Sequence, residues 1–136
     1  GEKEEELRNQ VKNLGINDKV RFLGNRSDVN ELYQAMDVFV MPSFFEGIPV
    51  VGVEAQFADL PCVFSDKVPE EVKFSSKVEF ISLSAEYNIW VNRIENLRRE
   101  NQRDSNKNCY DSAYNIKKSN YILSNYYMEL VGQGTR

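Results

Sequence analysis

Residues 38–54 read VFVMPSFFEGIPVVGVE, a short apolar run followed by a loop and a second apolar segment. Residues 38–41 are continuously apolar, which is typical of a parallel strand covered on both faces, and Pro42 ends the run. Pro49 suits the N1 position of a helix, which is predicted to continue to Phe57. A strand, a loop and a helix in this order indicate one βα unit of a parallel sheet.

The segments on both sides of this unit continue the alternation of strands and helices. The predicted elements are a helix over residues 2–14 that ends at Gly15, a strand over 20–24, a helix capped by Ser27, strands over 62–64 and 78–81 separated by a helical turn over 70–73, and helices from Ser84 onward and over 117–130. This alternation predicts an α/β fold, a Rossmann-like parallel sheet with flanking helices. We expect a single partial domain over residues 1–136, with a strand-helix core at about 1–82 and C-terminal helices at about 84–130.

Composition excludes several classes of protein. The chain has 136 residues, 41% of them apolar, and a formal net charge of −4, which argues against disorder and against nonspecific nucleic-acid binding. Histidine is absent, and two cysteines occur, so a histidine-paired nucleophile and a structural zinc site are excluded within this sequence. No apolar run approaches the roughly 20 residues of a membrane-spanning helix, and no secretory leader is visible. We therefore expect a cytoplasmic protein.

The loop over residues 42–49 is the predicted ligand site, because ligands bind beyond the carboxyl ends of strands in open α/β sheets. The amides of Gly47, Ile48 and Val50 are candidate donors to an anion such as a diphosphate at the start of a helix. Glu46 and Glu54 flank this anion site, and a carboxylate is a natural acceptor for vicinal hydroxyls. The pattern indicates a nucleotide joined to a sugar.

Several motifs in a fixed order carry a family resemblance. They are VRFLGNR at 20–26, DVFVMPS at 37–43, EGIP at 46–49, VVGVEA at 50–55 and LPCV at 60–63. Seven residues separate Glu46 from Glu54, which is the E-x7-E spacing. Residues 20–69 resemble the nucleotide-binding half of retaining glycosyltransferases of GT-B architecture, of the large family 4 (glycosyl transferases group 1). Residues 113–119 are similar to a segment near the end of capsular and exopolysaccharide transferases.

The resemblance implies roles for the loop and the following helix. Glu46 would be the catalytic residue that contacts donor sugar hydroxyls near the reacting carbon, and Glu54 would accept hydrogen bonds from the ribose. The backbone of Phe45, Gly47 and Ile48 would cradle the sugar and diphosphate. No metal and no cofactor is implied, and the donor substrate would be a nucleotide-diphosphate sugar of the UDP or GDP type.

Asn25 and Arg26 would border the nucleotide base in the same resemblance. For Arg26 the residues leave a second interpretation open, in which its guanidinium forms an ion pair with Asp28 or a nearby glutamate. Asp59 stands where the family has glycine, two residues before Pro61, and we expect this to alter a turn and no ligand contact.

The resemblance also implies that the chain is part of the donor half, the partial C-terminal domain of a GT-B enzyme. A missing N-terminal acceptor domain, with a basic pair that holds the diphosphate, would lie upstream, and the complete enzyme would associate peripherally with a membrane. In the family's strand order the two central strands would be absent. We therefore predict either direct pairing of residues 20–23 with 38–41 or an edge-strand homodimer of the fragment.

Three functions remain open from the sequence. The first is the donor-binding part of a retaining glycosyltransferase, which transfers a sugar to an acceptor hydroxyl in polysaccharide or glycoconjugate biosynthesis and is inactive as an isolated fragment. The second is a noncatalytic nucleotide-sugar-binding remnant. The third is a dinucleotide-binding oxidoreductase domain, which is disfavoured because no G-x-G-x-x-G motif follows a strand.

Overall fold

The computed structural model describes residues 3–100 and contains four α-helices, three strands and a short 3₁₀-helix. The helices are α1 (Glu4–Asn13), α2 (Val29–Ala35), α3 (Val50–Phe57) and α4 (Tyr87–Glu100); the strands are β1 (Phe39–Met41), β2 (Cys62–Ser65) and β3 (Val78–Ile81); the 3₁₀-helix is Glu70–Val72. The predicted helix over 117–130, residues 113–119 and Cys109 lie outside the described residues.

The three strands form one parallel sheet in the order β1-β2-β3, with Phe39 opposite Cys62 and Cys62 opposite Val78. Every residue of the central strand β2 is buried. Helices pack against this sheet, which confirms the predicted Rossmann-like α/β class. Strand β1 lies at the edge of the described sheet, and Val40 is 39% exposed there instead of being covered on both faces.

The strand predicted over residues 20–24 is wrong, because no strand of the described sheet pairs with that segment. A strand is defined by ladder hydrogen bonds to a neighbour, which an alternating sequence pattern alone does not supply. Phe22 instead lies under the guanidinium of Arg8 from α1, 4.3 Å from the ring centroid. Direct pairing of this segment with β1 is therefore also wrong, and edge pairing between copies stays a prediction.

One of the predicted helix boundaries holds and two move. Gly15 ends α1 in a left-handed conformation at φ 65°, and the amides of Gly15 and Ile16 donate to the carbonyls of Lys12 and Val11, as a Schellman motif requires. Helix α2 begins after Asp28, not Ser27. Helix α3 begins after Pro49, one residue later than predicted. These last two shifts leave the helices themselves in place.

Helix α3 packs closely on β2 through a glycine. A Cβ built on Gly52 would lie 2.9 Å from Cζ and 3.0 Å from Cε1 of the fully buried Phe64 ring. Real carbon atoms do not approach that closely, so the ring would have to move inside a packed core. The core around this contact consists of Tyr33, Ala55, Leu60, Cys62, Phe64, Val68, Val72 and Val78.

Asp59 takes the left-handed conformation after α3, at φ 57°, in the position where the resembling family has glycine. The amides of Asp59 and Leu60 donate to the carbonyls of Gln56 and Ala55, so the helix ends in a second Schellman motif. Its carboxylate accepts a hydrogen bond from Lys77 Nζ at 2.8 Å. As predicted, the substitution affects a turn.

Two side chains of helix α4 contact β3 or the residue that follows it. Trp90 is half-buried and donates its Nε1 hydrogen to the carbonyl of Ser82 at 3.2 Å. Arg93 lies 3.6 Å from the carboxylate of Glu79 in β3. The side chain of Ile89 is 46% exposed.

Gln56 is a fully buried polar residue in α3, and all of its amide groups are paired. Its Nε2 donates to the carbonyls of Gly52 and Val72 at 3.0 and 2.9 Å. Its Oε1 accepts from the amides of Phe74 and Ser75, both at 3.1 Å. One side chain thereby fastens the helix to the segment between β2 and β3.

We expect Gln56→Leu to lower the free energy of unfolding by about 3 kcal/mol or more, because the four backbone groups that bond to its amide lose that partner. Urea-induced unfolding followed by circular dichroism measures this loss. Gln10→Leu on the exposed face of α1 is the matched control, with an expected change within about 0.5 kcal/mol. Equal changes in the two variants would contradict the role of Gln56.

The thiol of Cys62 is completely buried in β2, and burial raises its pKa to about 12. Because the folded pKa lies above that of an unfolded cysteine, the stability from the neutral thiol is complete below about pH 8.5 and is lost as the pH rises toward the folded value. We expect this group to lower the free energy of unfolding by up to about 1.4 kcal/mol per pH unit above pH 9.

The test is urea unfolding of the parent and of Cys62→Ala at intervals from pH 8 to pH 10, below the range in which a buried tyrosine ionises. The parent should lose stability more steeply than the variant. Parallel slopes would show that the thiol does not couple folding to pH.

Candidate functional site

The loop between β1 and α3 leaves the sheet at its carboxyl-end edge. The hydroxyl of Ser65, the last residue of β2, donates to the carbonyl of Ser43 at 2.5 Å. This bond joins the end of β2 to the second residue after β1 and fixes the start of the loop. The first residues of the loop are therefore held in place by β2.

Glu46 lies in the middle of this loop and is half-buried. Its Oε1 accepts a hydrogen bond from the hydroxyl of Ser43 at 3.2 Å. Ser43 thus makes two contacts: its carbonyl ties the loop backbone to β2, and its hydroxyl holds the Glu46 carboxylate. Sequence reasoning did not assign Ser43 this role.

The other loop residues predicted to contact a donor are exposed. Phe45 is 88% exposed and Ile48 50%, and Gly47 is also on the surface. A Cβ built on Gly47 would meet no heavy atom within 4 Å, so nothing in the fold excludes a side chain there. The backbone of this loop is open to a ligand.

The start of α3 is accessible and lacks internal acceptors. Pro49 is the N-cap residue, and its carbonyl accepts from the amides of Gly52 and Val53. Among residues 3–100, no acceptor pairs with the amides of Gly47, Ile48 or Val50. Unpaired amides at an exposed helix start favour an anion.

Glu54 lies on the second turn of α3 and is half-buried. Its Oε2 accepts a hydrogen bond from the hydroxyl of Tyr33 in α2 at 3.2 Å. Burial, together with the hydrogen bond to Glu54, raises the pKa of Tyr33 to about 12, so the phenol stays protonated and remains a donor. Tyr33 was not singled out from the sequence, although a buried phenol needs a polar partner.

A surface cavity of about 250 Å³ lies between α2 and α3 beside this pair. It is lined by Asn30, Tyr33, Gln34, Glu54, Phe57 and Ala58. In its wall, the Glu54 carboxylate of α3 lies beside the polar side chains of Asn30 and Gln34 from α2. It opens to solvent, so Glu54 is accessible from outside.

Asn25 and Arg26 are exposed and lie before α2. Arg26 forms a bidentate ion pair with Asp28, with Nε 2.6 Å from Oδ1. This bond raises the pKa of Arg26 and lowers that of the Asp28 carboxyl. Among the described residues, no hydrogen bond or ion pair joins Asn25 or Arg26 to Glu46 or Glu54. The ion-pair interpretation of Arg26 is confirmed, and contact with a base stays a prediction.

The described part of the chain offers neither a cluster of metal ligands nor a membrane-spanning helix. Within residues 3–100, no three acidic or cysteine side chains are grouped as a metal ion would require. Over the same residues, every helix falls short of the length and apolar character needed to cross a membrane.

Comparison with known proteins places these residues in a family. The family described as glycosyl transferases group 1 matches residues 1–114. EpsF of Bacillus subtilis (strain 168), named as a glycosyltransferase, is 44% identical over 95 residues, which are 69% of this chain and 24% of EpsF. No solved structure matches the chain.

Two further relatives carry more specific names. The UDP-Gal:alpha-D-GlcNAc-diphosphoundecaprenol alpha-1,3-galactosyltransferase of Escherichia coli is 38% identical over 66 residues, 45% of this chain and 17% of that protein. A GalNAc-alpha-(1->4)-GalNAc-alpha-(1->3)-diNAcBac-PP-undecaprenol alpha-1,4-N-acetyl-D-galactosaminyltransferase of Campylobacter jejuni is 31% identical over 132 residues, 90% of this chain and 36% of that protein.

The chain thus spans between 17% and 36% of the length of these three relatives. The family match covers most of the chain and includes the whole loop between β1 and α3. The chain belongs to the glycosyl transferases group 1 family.

Proposed function

We propose that the chain is the donor-binding part of a retaining glycosyltransferase, which moves a sugar from a nucleotide-diphosphate sugar to an acceptor hydroxyl. The observation that carries this function is the exposed start of α3 between two carboxylates, each held by a hydroxyl donor. Ser43 holds Glu46, and Tyr33 holds Glu54. A phosphate-linked sugar has an anion to which the backbone amides can donate, and hydroxyls from which the two carboxylates can accept hydrogen bonds.

The diphosphate would bind at the start of α3. The amides of Gly47, Ile48 and Val50 are the donors, and the exposed loop lets a phosphate reach them. A helix start stabilises an adjacent anion by about 0.3–1 kcal/mol, and up to about 2 kcal/mol when partly buried. The same amides would stabilise the negative charge that grows on the departing nucleoside diphosphate.

The two carboxylates would bind the two ends of the donor. Glu54, beside the open cavity, would accept hydrogen bonds from the ribose hydroxyls. Glu46 would contact hydroxyls of the transferred sugar near the carbon that reacts. The exposed backbone of Phe45, Gly47 and Ile48 would lie against the sugar and the diphosphate.

Relatives suggest the substrates. The Escherichia coli relative is named for a UDP-sugar donor and an acceptor joined to diphosphoundecaprenol. By analogy we infer a donor of the UDP or GDP type, an acceptor in polysaccharide biosynthesis, and peripheral membrane association of the complete enzyme on its cytoplasmic side. Because the acceptor half would lie outside residues 1–136, we infer that this chain alone does not transfer sugar.

We expect Glu54→Ala in the complete gene product to weaken binding of UDP or GDP, because a hydrogen bond to a charged acceptor contributes about 1.5–3 kcal/mol. Isothermal titration with both nucleotides measures the change. Glu46→Ala should instead lower turnover more than nucleotide affinity. Glu86→Ala, an exposed glutamate before α4, is the matched control and should change neither quantity. Equal nucleotide affinity in Glu54→Ala and the parent would reject its ribose role.

Gly47→Ala separates folding from ligand contact, since the structure has space for the added methyl group. We expect an unchanged melting temperature and at least a tenfold loss of kcat/KM for the donor, because the methyl group would occupy the place of the sugar or phosphate. Gly52→Ala is the contrasting control and should lower the melting temperature by overpacking Phe64. Full activity of Gly47→Ala would indicate that no donor group lies against this backbone.

A further inference from the structure

Tyr33 is fixed in place by the packing of three elements. It is 2% exposed, and its ring meets that of Phe39 in β1 edge-on, with centroids 6.2 Å apart and an interplanar angle of 79°. Its hydroxyl reaches α3, where it lies 3.3 Å from the carbonyl oxygen of Val51 and 3.2 Å from Oε2 of Glu54. The position of the hydroxyl therefore depends on the core and does not require Glu54.

Glu54, in contrast, depends on Tyr33 for its orientation. Among residues 3–100, the Tyr33 hydroxyl is the one side-chain donor to the Glu54 carboxylate. A phenol has a single proton, and an ionised carboxylate is a stronger acceptor than a helix carbonyl. A bond to Oε2 leaves Oε1 and further lone pairs for a ligand beside the open cavity.

We propose that Tyr33 is a positioning residue, which holds Glu54 ready to accept hydrogen bonds from the vicinal hydroxyls of a nucleotide ribose. This inference rests on the proposed function, because it takes Glu54 as the ribose acceptor. Without the phenol hydroxyl, the Glu54 side chain would be ordered only when the ligand binds, so the conformational entropy that it loses would count against binding. Ordering one such side chain on binding weakens affinity by about two- to tenfold.

The experiment uses Tyr33→Phe in the complete gene product, because phenylalanine keeps the ring and removes one oxygen atom. Isothermal titration is carried out with UDP and GDP, and with the 2′,3′-dideoxy form of whichever nucleotide binds. We expect the variant to bind the ribonucleotide about two- to tenfold more weakly than the parent. Affinity for the dideoxy nucleotide, which lacks the two hydroxyls, should not change.

Two further variants complete the design. In the Glu54→Ala background, Tyr33→Phe should change ribonucleotide affinity by less than about twofold, because the group that it positions is already absent. Tyr87→Phe, on α4 and 83% exposed, removes the same atom from a distant surface and should leave both affinities unchanged.

The ratio of the two affinities distinguishes positioning from general stability, since a less stable protein loses affinity for both nucleotides alike. Equal weakening of ribonucleotide and dideoxy nucleotide would overturn the inference, as would unchanged ribonucleotide affinity in Tyr33→Phe. If Glu54→Ala weakens the ribonucleotide and Tyr33→Phe does not, this inference fails alone. If Glu54→Ala has no effect, or neither UDP nor GDP binds, the proposed function fails with it.

Discussion

The close contact between Gly52 and the ring of Phe64 is the constraint on which the site depends. Helix α3 can lie this near to β2 because residue 52 has no side chain. Phe64 is fully buried and contacts the rings of Phe39 and Phe80 on the neighbouring strands, so these packed rings leave no space into which it could shift. The start of α3 is consequently held at the carboxyl-end edge of the sheet, beside a loop that is otherwise exposed.

The site itself repeats one arrangement, in which a hydroxyl that is tied to the packed part of the structure donates to a glutamate carboxylate. Ser43 is bonded to the end of β2 and donates to Glu46. Tyr33 is packed in the core and donates to Glu54. If these glutamates bind the donor as proposed, each carboxylate would be oriented by a hydroxyl before the ligand arrives, which would reduce the entropy lost on binding.

Sequence patterns predicted those parts of the fold that local chemistry decides. The apolar run at 62–64 and the glycine at 15 have one physical interpretation each, and both predictions are confirmed. The strand over 20–24 failed because pairing depends on a neighbour that periodicity does not reveal. Ser27 was a plausible cap by residue type, yet the helix begins one residue later, where Arg26 engages the Asp28 carboxylate. Of the site, the spacing of the two glutamates was visible. The Tyr33 partner of Glu54 depends on a tertiary contact between two helices, whereas Ser43 lies three residues before Glu46 and carries no pattern that marks it as a donor.

Electrostatics explain why the loop would not bind a diphosphate strongly by itself. Residues 42–54 contain Glu46 and Glu54 and no lysine or arginine, so every positive contribution in this stretch comes from backbone amides. Arg26 is already paired with Asp28, and Lys67 lies 3.7 Å from Asp66. A diphosphate placed here would meet two like charges, whose repulsion offsets the modest attraction of one helix start. In the proposed function, strong donor binding would therefore need cationic side chains from outside this loop, and the two carboxylates would bind the hydroxyl-bearing parts of the ligand.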